Sequence, residues 1–310
     1  MADKTPVRIG HLKITDHLVL GITQDKMQKG QESPQYLDLQ LQAFAGWNPL
    51  AMALREGKID AACILAPLAM EIFHMDKNTR LLLFTHKSGS VIIKNKRANI
   101  NSIEDFKGKT VLIPHFLSIH NLLFERLLSE KGLSVGVGPG KDVSFEVVAP
   151  SEIPEIMEYD EKGSVGGFIV AEPYGSQVVM SGFGEEFALS KDIWPNHPCC
   201  LLVVRDELVQ KSPDAIQELV TSLVASGQFV DSNPESAAEI GARFLGQDKA
   251  VVKHVLTEPK GRVATNELMP NLKDLDTIQT IMTQRIKAMS DKIDLEKFAD
   301  LRFAQNAGAK

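Results

Sequence analysis

Cysteine is scarce in this chain: Cys63, Cys199 and Cys200 are the only three among 310 residues. Cys199 and Cys200 are adjacent and lack the two-residue gap of a zinc or dithiol pair. No disulfide framework is implied, and both read as buried strand residues. Long hydrophobic runs are missing too. The longest, residues 61–70 and 199–204, fall well short of the ~18 to 20 residues that span a bilayer, which excludes a transmembrane helix and direct membrane insertion. Positive charge is in deficit, with 34 Lys and Arg against 40 Asp and Glu and a net charge of -6. The summed field repels a phosphate backbone, so nucleic acid is excluded as a partner. No basic segment followed by an apolar one precedes residues 7–9, so the expectation is a cytosolic chain or one whose leader has been removed.

What is present is an ordinary globular composition, 44% hydrophobic and 24% charged with 22 Gly and 15 Pro, at a length that suits two domains. Short apolar runs alternate with amphipathic segments, which predicts an α/β protein with mostly parallel sheets. Strands are expected at residues 7–14, 37–44, 59–65, 81–84, 110–113, 143–148 and 167–170. Helices are expected over 49–56, 101–107 and 118–131. Asn48 and Pro49 read as cap and first turn, with Gly57 just past the end. Residues 85–93 read as a crossover into a second domain and 199–204 as the return strand. From Ser212 on, cap and stop signals such as Ser212-Pro213, Asn233-Pro234 and Gly246 predict a helical tail. The expected partition is 1–88 with 205–310 as one domain and 89–204 as the other.

In open parallel sheets, ligands bind beyond the carboxyl ends of the strands, where helix N-termini offer free N–H groups. Thr15, Asp16, His17, Trp47, Asn48, His115, Ser118, His120 and Glu172 all fall at such junctions. His17, His120 and Lys260 are candidate charged donors to an anion, with neutral help from Thr15 and Ser118. Several have plainer readings. Asp16 and Ser118 can serve as helix caps, His115 and His120 as packing residues, Trp47 as core or binding wall, and Glu172 as a first-turn charge or a ligand or metal contact. No G-x-S-x-G or H-E-x-x-H motif occurs. The run Gly136-Val137-Gly138-Pro139-Gly140-Lys141 is not a phosphate loop, because Val135 and Asp142 stand where Gly and Ser or Thr are required. No catalytic residue is assigned, and His115-x4-His120 alone makes a weak metal pair.

Arg8-Ile9-Gly10 with Thr15-Asp16-His17, Trp47-Asn48-Pro49 followed by Glu56 to Ala62, Ser118-Ile119-His120-Asn121, Ala171-Glu172-Pro173 and Trp194-x-x-His197-Pro198 together resemble the nitrate/sulfonate/bicarbonate (NitT/TauT-type) substrate-binding proteins of ABC importers. The match is nearest the nitrate and bicarbonate branch and runs over residues 7–212. The resemblance implies a type II periplasmic-binding fold, two α/β lobes joined by two crossing strands. It implies a receptor outside the cytoplasm, periplasmic or at the cell surface, that closes over a small oxyanion or sulfonate-like solute and serves a membrane permease and ATPase. It implies no reaction and no cofactor. Its first-lobe contacts would be Thr15, Asp16, His17 and Trp47, its second-lobe contacts Ser118, His120 and Glu172. Asp16 and Glu172 would repel an anion unless a cation or proton intervenes, so a metal ion accompanying the solute is one way to balance the cleft. Two other readings share the fold: a thiamine-pyrimidine-precursor binding or synthase protein, and a cytosolic solute sensor.

Overall fold

The computed structural model describes residues 4–138 and 140–310, so Pro139 of the glycine-rich run lies outside the described residues. Among the described residues, thirteen strands form two large sheets and one small ribbon. The first sheet has the order β2-β1-β3-β12-β4, from β1 (Thr5–His11), β2 (Leu37–Ala43), β3 (Ala61–Leu65), β4 (Thr79–Phe84) and β12 (Cys200–Arg205). The second has the order β11-β6-β10-β7-β9-β8, from β6 (Ser90–Asn95), β7 (Thr110–Ile113), β8 (Val135–Gly136), β9 (Val143–Val147), β10 (Val165–Ala171) and β11 (Gly184–Leu189). The ribbon pairs β5 (Lys87–Ser88) with β13 (Val263–Ala264).

Each large sheet contains one strand against the grain: β12 runs antiparallel to β3 and β4, and β6 antiparallel to β10 and β11. Topology requires this. The parallel strands of both sheets end at the cleft, so a chain leaving one lobe there enters the other at the same edge and must run away from it. β6 and β12 are the two entry strands. Their connections touch, with Ser88 N donating to His197 O at 2.9 Å. The strands β3 and β10 are buried at every residue, as expected where helices cover both faces of a parallel sheet.

Helices α1 (Leu18–Gln28), α2 (Trp47–Arg55), α3 (Ala66–Asp76) and α4 (Ile119–Glu130) begin near the cleft. Gly57 and Gly132 stand just past α2 and α4 in the left-handed conformation that favours glycine (φ +71° and +75°). Several expectations are corrected. The first strand stops at His11, and Thr15–His17 is a turn of 3-10 helix. Helix α2 starts at Trp47, so Asn48 is inside it and the capping position is Gly46, which has no side chain to donate or accept. The segment 101–107 holds only a 3-10 turn, Ile103–Phe106, closed by a Ser102 and Asp105 capping box. The strands β8 and β11 carry too few alternating apolar positions to be seen in the sequence. The return strand β12 runs to Arg205 and belongs to the first sheet. The tail is largely helical, with Pro213–Ser232 packed on α1 and the first sheet's outer face.

Candidate functional site

The two lobes are in contact across the cleft. Thr15 N donates to Glu172 O at 2.7 Å, Tyr174 OH donates to Lys13 O at 3.1 Å, and the His115 ring meets Asn48 Oδ1 at 3.0 Å. Leu117 N–H donates to His115 Nδ1 at 2.9 Å, so that nitrogen carries no proton and Nε2–H is the donor to Asn48. At the mouth, a cavity of about 230 Å³ is lined by Lys13, Phe44, Pro150 and Tyr174 among others, residues of both lobes.

Deeper in, the 3-10 turn after β1 places Thr15, Asp16 and His17 against the crossings, all three buried. Asp16 caps nothing. Its Oδ2 lies 3.0 Å from His86 Nε2 and accepts from Cys200 Sγ at 3.6 Å. Two features hold His86, which is fully buried on the outgoing crossing. Thr85 Oγ1 donates to Cys200 O at 3.1 Å and so is left to accept from His86 Nδ1 at 3.4 Å. Gly89, at φ +84°, brings the backbone so near that a Cβ there would lie 3.1 Å from the His86 ring and 3.5 Å from Asp16 Oδ1.

From the second lobe, His120 enters at the N-terminus of α4, with Nε2 2.9 Å from Ser90 Oγ and 3.9 Å from Cys199 Sγ. Trp47, the first residue of α2, sets its ring edge-on to His17 with centroids 5.9 Å apart. Among the described residues, Thr15 Oγ1, Asp16 Oδ1, His17 Nε2, Trp47 Nε1, His120 Nδ1 and His197 Nε2 are buried without a hydrogen-bond partner. Such atoms are rare in native interiors, because each costs about 1 to 3 kcal/mol. Here they converge from both lobes and the return crossing.

Three expected contacts are differently employed. Ser118 is the cap of α4, its Oγ accepting from Asn121 N at 3.1 Å and donating to His115 O at 2.6 Å. Both Glu172 oxygens are engaged: Oε1 takes Arg262 Nη1 at 2.6 Å and Ser176 Oγ at 2.8 Å, and Oε2 takes Ser176 N at 2.9 Å. Lys260 is exposed in the turn after the helix Lys249–Thr257, where its ammonium keeps its water. The buried cation is Arg262, two residues on, which also donates to Glu186 at 2.6 Å. Arg262, His86, His197 and Cys199, all buried, also lie among these residues and are not among the contacts expected from the sequence. His197 carried a signal in its Trp-x-x-His-Pro motif. His86 sits in a connection with no motif around it.

Burial pushes the Asp16 carboxyl up to about 6, against the opposing pull of His86. Burial lowers His86, but the Asp16 charge and hydrogen bond outweigh it and raise the imidazole to about 10. His17 is held well below its ordinary value and His197 down to about 4, both by desolvation first. Burial alone would raise Cys199. Its hydrogen bond from Cys200 and the His120 and His86 imidazoles instead bring it well below the usual thiol value, while burial and the Cys199 charge push Cys200 up. The site thus gathers a buried carboxyl raised, an imidazole raised and a thiol lowered from their ordinary values, beside two histidines, His17 and His197, that are lowered.

Two α/β lobes, each entered by one antiparallel crossing strand and closed over polar side chains, define the type II periplasmic-binding fold. The chain belongs to the NMT1-like family, whose sequence profile matches residues 1–245. Over 246 residues it is 27% identical to the nitrate import ATP-binding protein NrtC of Synechocystis, covering 74% of this chain and 35% of that one, so the chain spans about a third of that relative's length. The ligand-binding component of an ABC-type import system from Staphylococcus aureus, solved with zinc bound, superposes with a TM-score of 0.84 at 26% identity over 98% of this chain and 99% of that one. The periplasmic nitrate-binding protein NrtA of Synechocystis gives 0.84 at 18% identity over 99% and 89%. The fold also serves catalysis: the desulfurization enzyme DSZB gives 0.69 at 12% identity over 98% and 99%.

Proposed function

We propose that this chain is the solute-binding receptor of an ABC importer, working outside the cytoplasm, that closes its lobes on a small oxyanion and passes it to a permease and ATPase without altering it. One observation carries the reading: polar atoms from both lobes, Thr15 and Trp47 on one side and His120 on the other, are buried and unpartnered when the lobes meet. Trp47 Nε1–H can only donate, and it is the kind of neutral donor a compact oxyanion needs. Neutral hydrogen bonds are worth about 0.5 to 1.5 kcal/mol and charge-assisted ones about 1.5 to 3, whereas micromolar affinity needs about 8 kcal/mol. Neutral donors alone therefore fall short, and His120, whose Nδ1 is buried without a partner, is the imidazole placed to carry the larger share. Asp16 in the same cleft favours a solute that brings or meets a positive charge. The import proteins among the relatives and the nitrate named for two of them support this assignment.

A second reading has its own observation. Cys199, its thiol drawn well below the usual value close to His120 and His86, also has a nucleophile's surroundings, on a fold that includes an enzyme. Calorimetry and thermal melting with nitrate, nitrite, bicarbonate and short sulfonates test the first reading. Binding with the solute recovered unchanged supports it, and turnover of any of them supports the second.

A further inference from the structure

We propose that His197 makes this chain selective for an oxyanion that carries a hydrogen-bond donor of its own, an O–H or N–H, over one whose oxygens can only accept. The proposal rests on the receptor reading and narrows the solute that the receptor takes.

The protons on one ring are the first support. His197 Nδ1 lies 3.3 Å from Pro198 O, an oxygen that can only accept, so Nδ1 holds the proton. Desolvation keeps the ring neutral, and a neutral imidazole carries one proton. Nε2 is therefore a bare lone pair. It is fully buried and has no hydrogen-bond partner among the described residues. Asp16, in its ion pair with His86, accepts at both oxygens, and its Oδ1 is likewise buried and unpartnered.

Placement is the second support. His197 O accepts from Ser88 N at 2.9 Å, and Pro198 bridges Lys87, so the two crossings hold this residue between them. Its ring packs beside Trp194 with centroids 6.1 Å apart. It stands close enough to Cys199, His86 and His120 for their charges to act on it, which sets it among the residues of the cleft. The bond to Pro198 also fixes the rotation of the ring. Nε2 stays where it is.

The third support is the opposite polarity of Trp47, whose buried and unpartnered Nε1–H can only donate. A solute that satisfies Trp47, His197 and Asp16 together accepts at one end and donates at the other. Nitrate and bicarbonate separate the two demands, because both are planar and singly charged with their oxygens on one centre, and only bicarbonate carries a proton. Nitrate leaves the His197 lone pair unpaired. A buried polar atom left without its partner is the strongest basis a site has for rejecting a near-isostere.

The test measures both anions by calorimetry on the full chain, in a sealed cell at one mildly alkaline pH. Bicarbonate is expected to bind about 10- to 100-fold more tightly than nitrate, the range set by one buried acceptor left unpaired. His197→Gln, whose amide can turn its NH2 toward nitrate, should bring the two affinities to within a few-fold of each other. Should that variant fail to fold, His197→Leu, which has no polar atom to leave unpaired, is read in its place with the same collapse expected. Nitrate binding the native chain as tightly as bicarbonate, or a preference that survives in the variant, overturns the role of His197 and leaves the receptor standing. If none of nitrate, nitrite, bicarbonate and short sulfonates binds or compacts the chain, the receptor reading falls and the role of His197 with it.

Discussion

Arg262 donates to Glu172 Oε1 at 2.6 Å, tying the helical tail to the second lobe through a pair in which neither side chain is more than 4% exposed. Breaking a buried pair by removing one partner leaves the other charged and unsatisfied. Arg262→Leu is therefore expected to cost about 3 to 5 kcal/mol of stability, measured by urea denaturation. A loss under 1 kcal/mol would show that Glu172 finds another partner or takes up a proton.

The two buried donors facing the cleft should differ in weight. His120→Ala should weaken nitrate binding by about 1.5 to 3 kcal/mol, and Trp47→Phe, which keeps the packing and removes Nε1–H, by about 0.5 to 1.5 kcal/mol. Calorimetry reads both. Unchanged affinity in His120→Ala would reduce that imidazole to packing.

The His115 contact to Asn48 predicts a pH effect. Desolvation holds His115 below its ordinary value, as it does His11 and His17. A histidine depressed in the folded state contributes stability that is whole above its unfolded value and is lost as pH falls through the folded one. Stability should therefore fall as pH drops below about 6.5, the ordinary imidazole value, and His115→Gln should show a smaller drop. An equal drop in the variant would mean that His115 takes no part.

Much of the fold was legible because parallel sheets write themselves plainly: β7 matches its expected span, and α4 begins after the Ser118 cap and ends before Gly132 as its signals required. The cleft was legible only in part. Thr15, Asp16, His17, Trp47 and His120 fall at strand-to-helix junctions, and those junctions do face one another. His86 and Cys199 lie instead on the two crossings, where nothing local marks a residue and only the meeting of distant segments gives it a partner. Lys260 and Arg262 share one turn, and which of them turns inward depends on the buried Glu172. Asn48 had the composition of a cap, but helix α2 starts one residue before it, which frees its side chain to bridge the lobes.

Small-angle scattering of the chain with and without saturating nitrate tests the central claim most directly, since closure of two lobes on a solute moves whole domains. The account predicts a smaller radius of gyration when nitrate is bound. An unchanged radius at a concentration where calorimetry shows the site filled would contradict it.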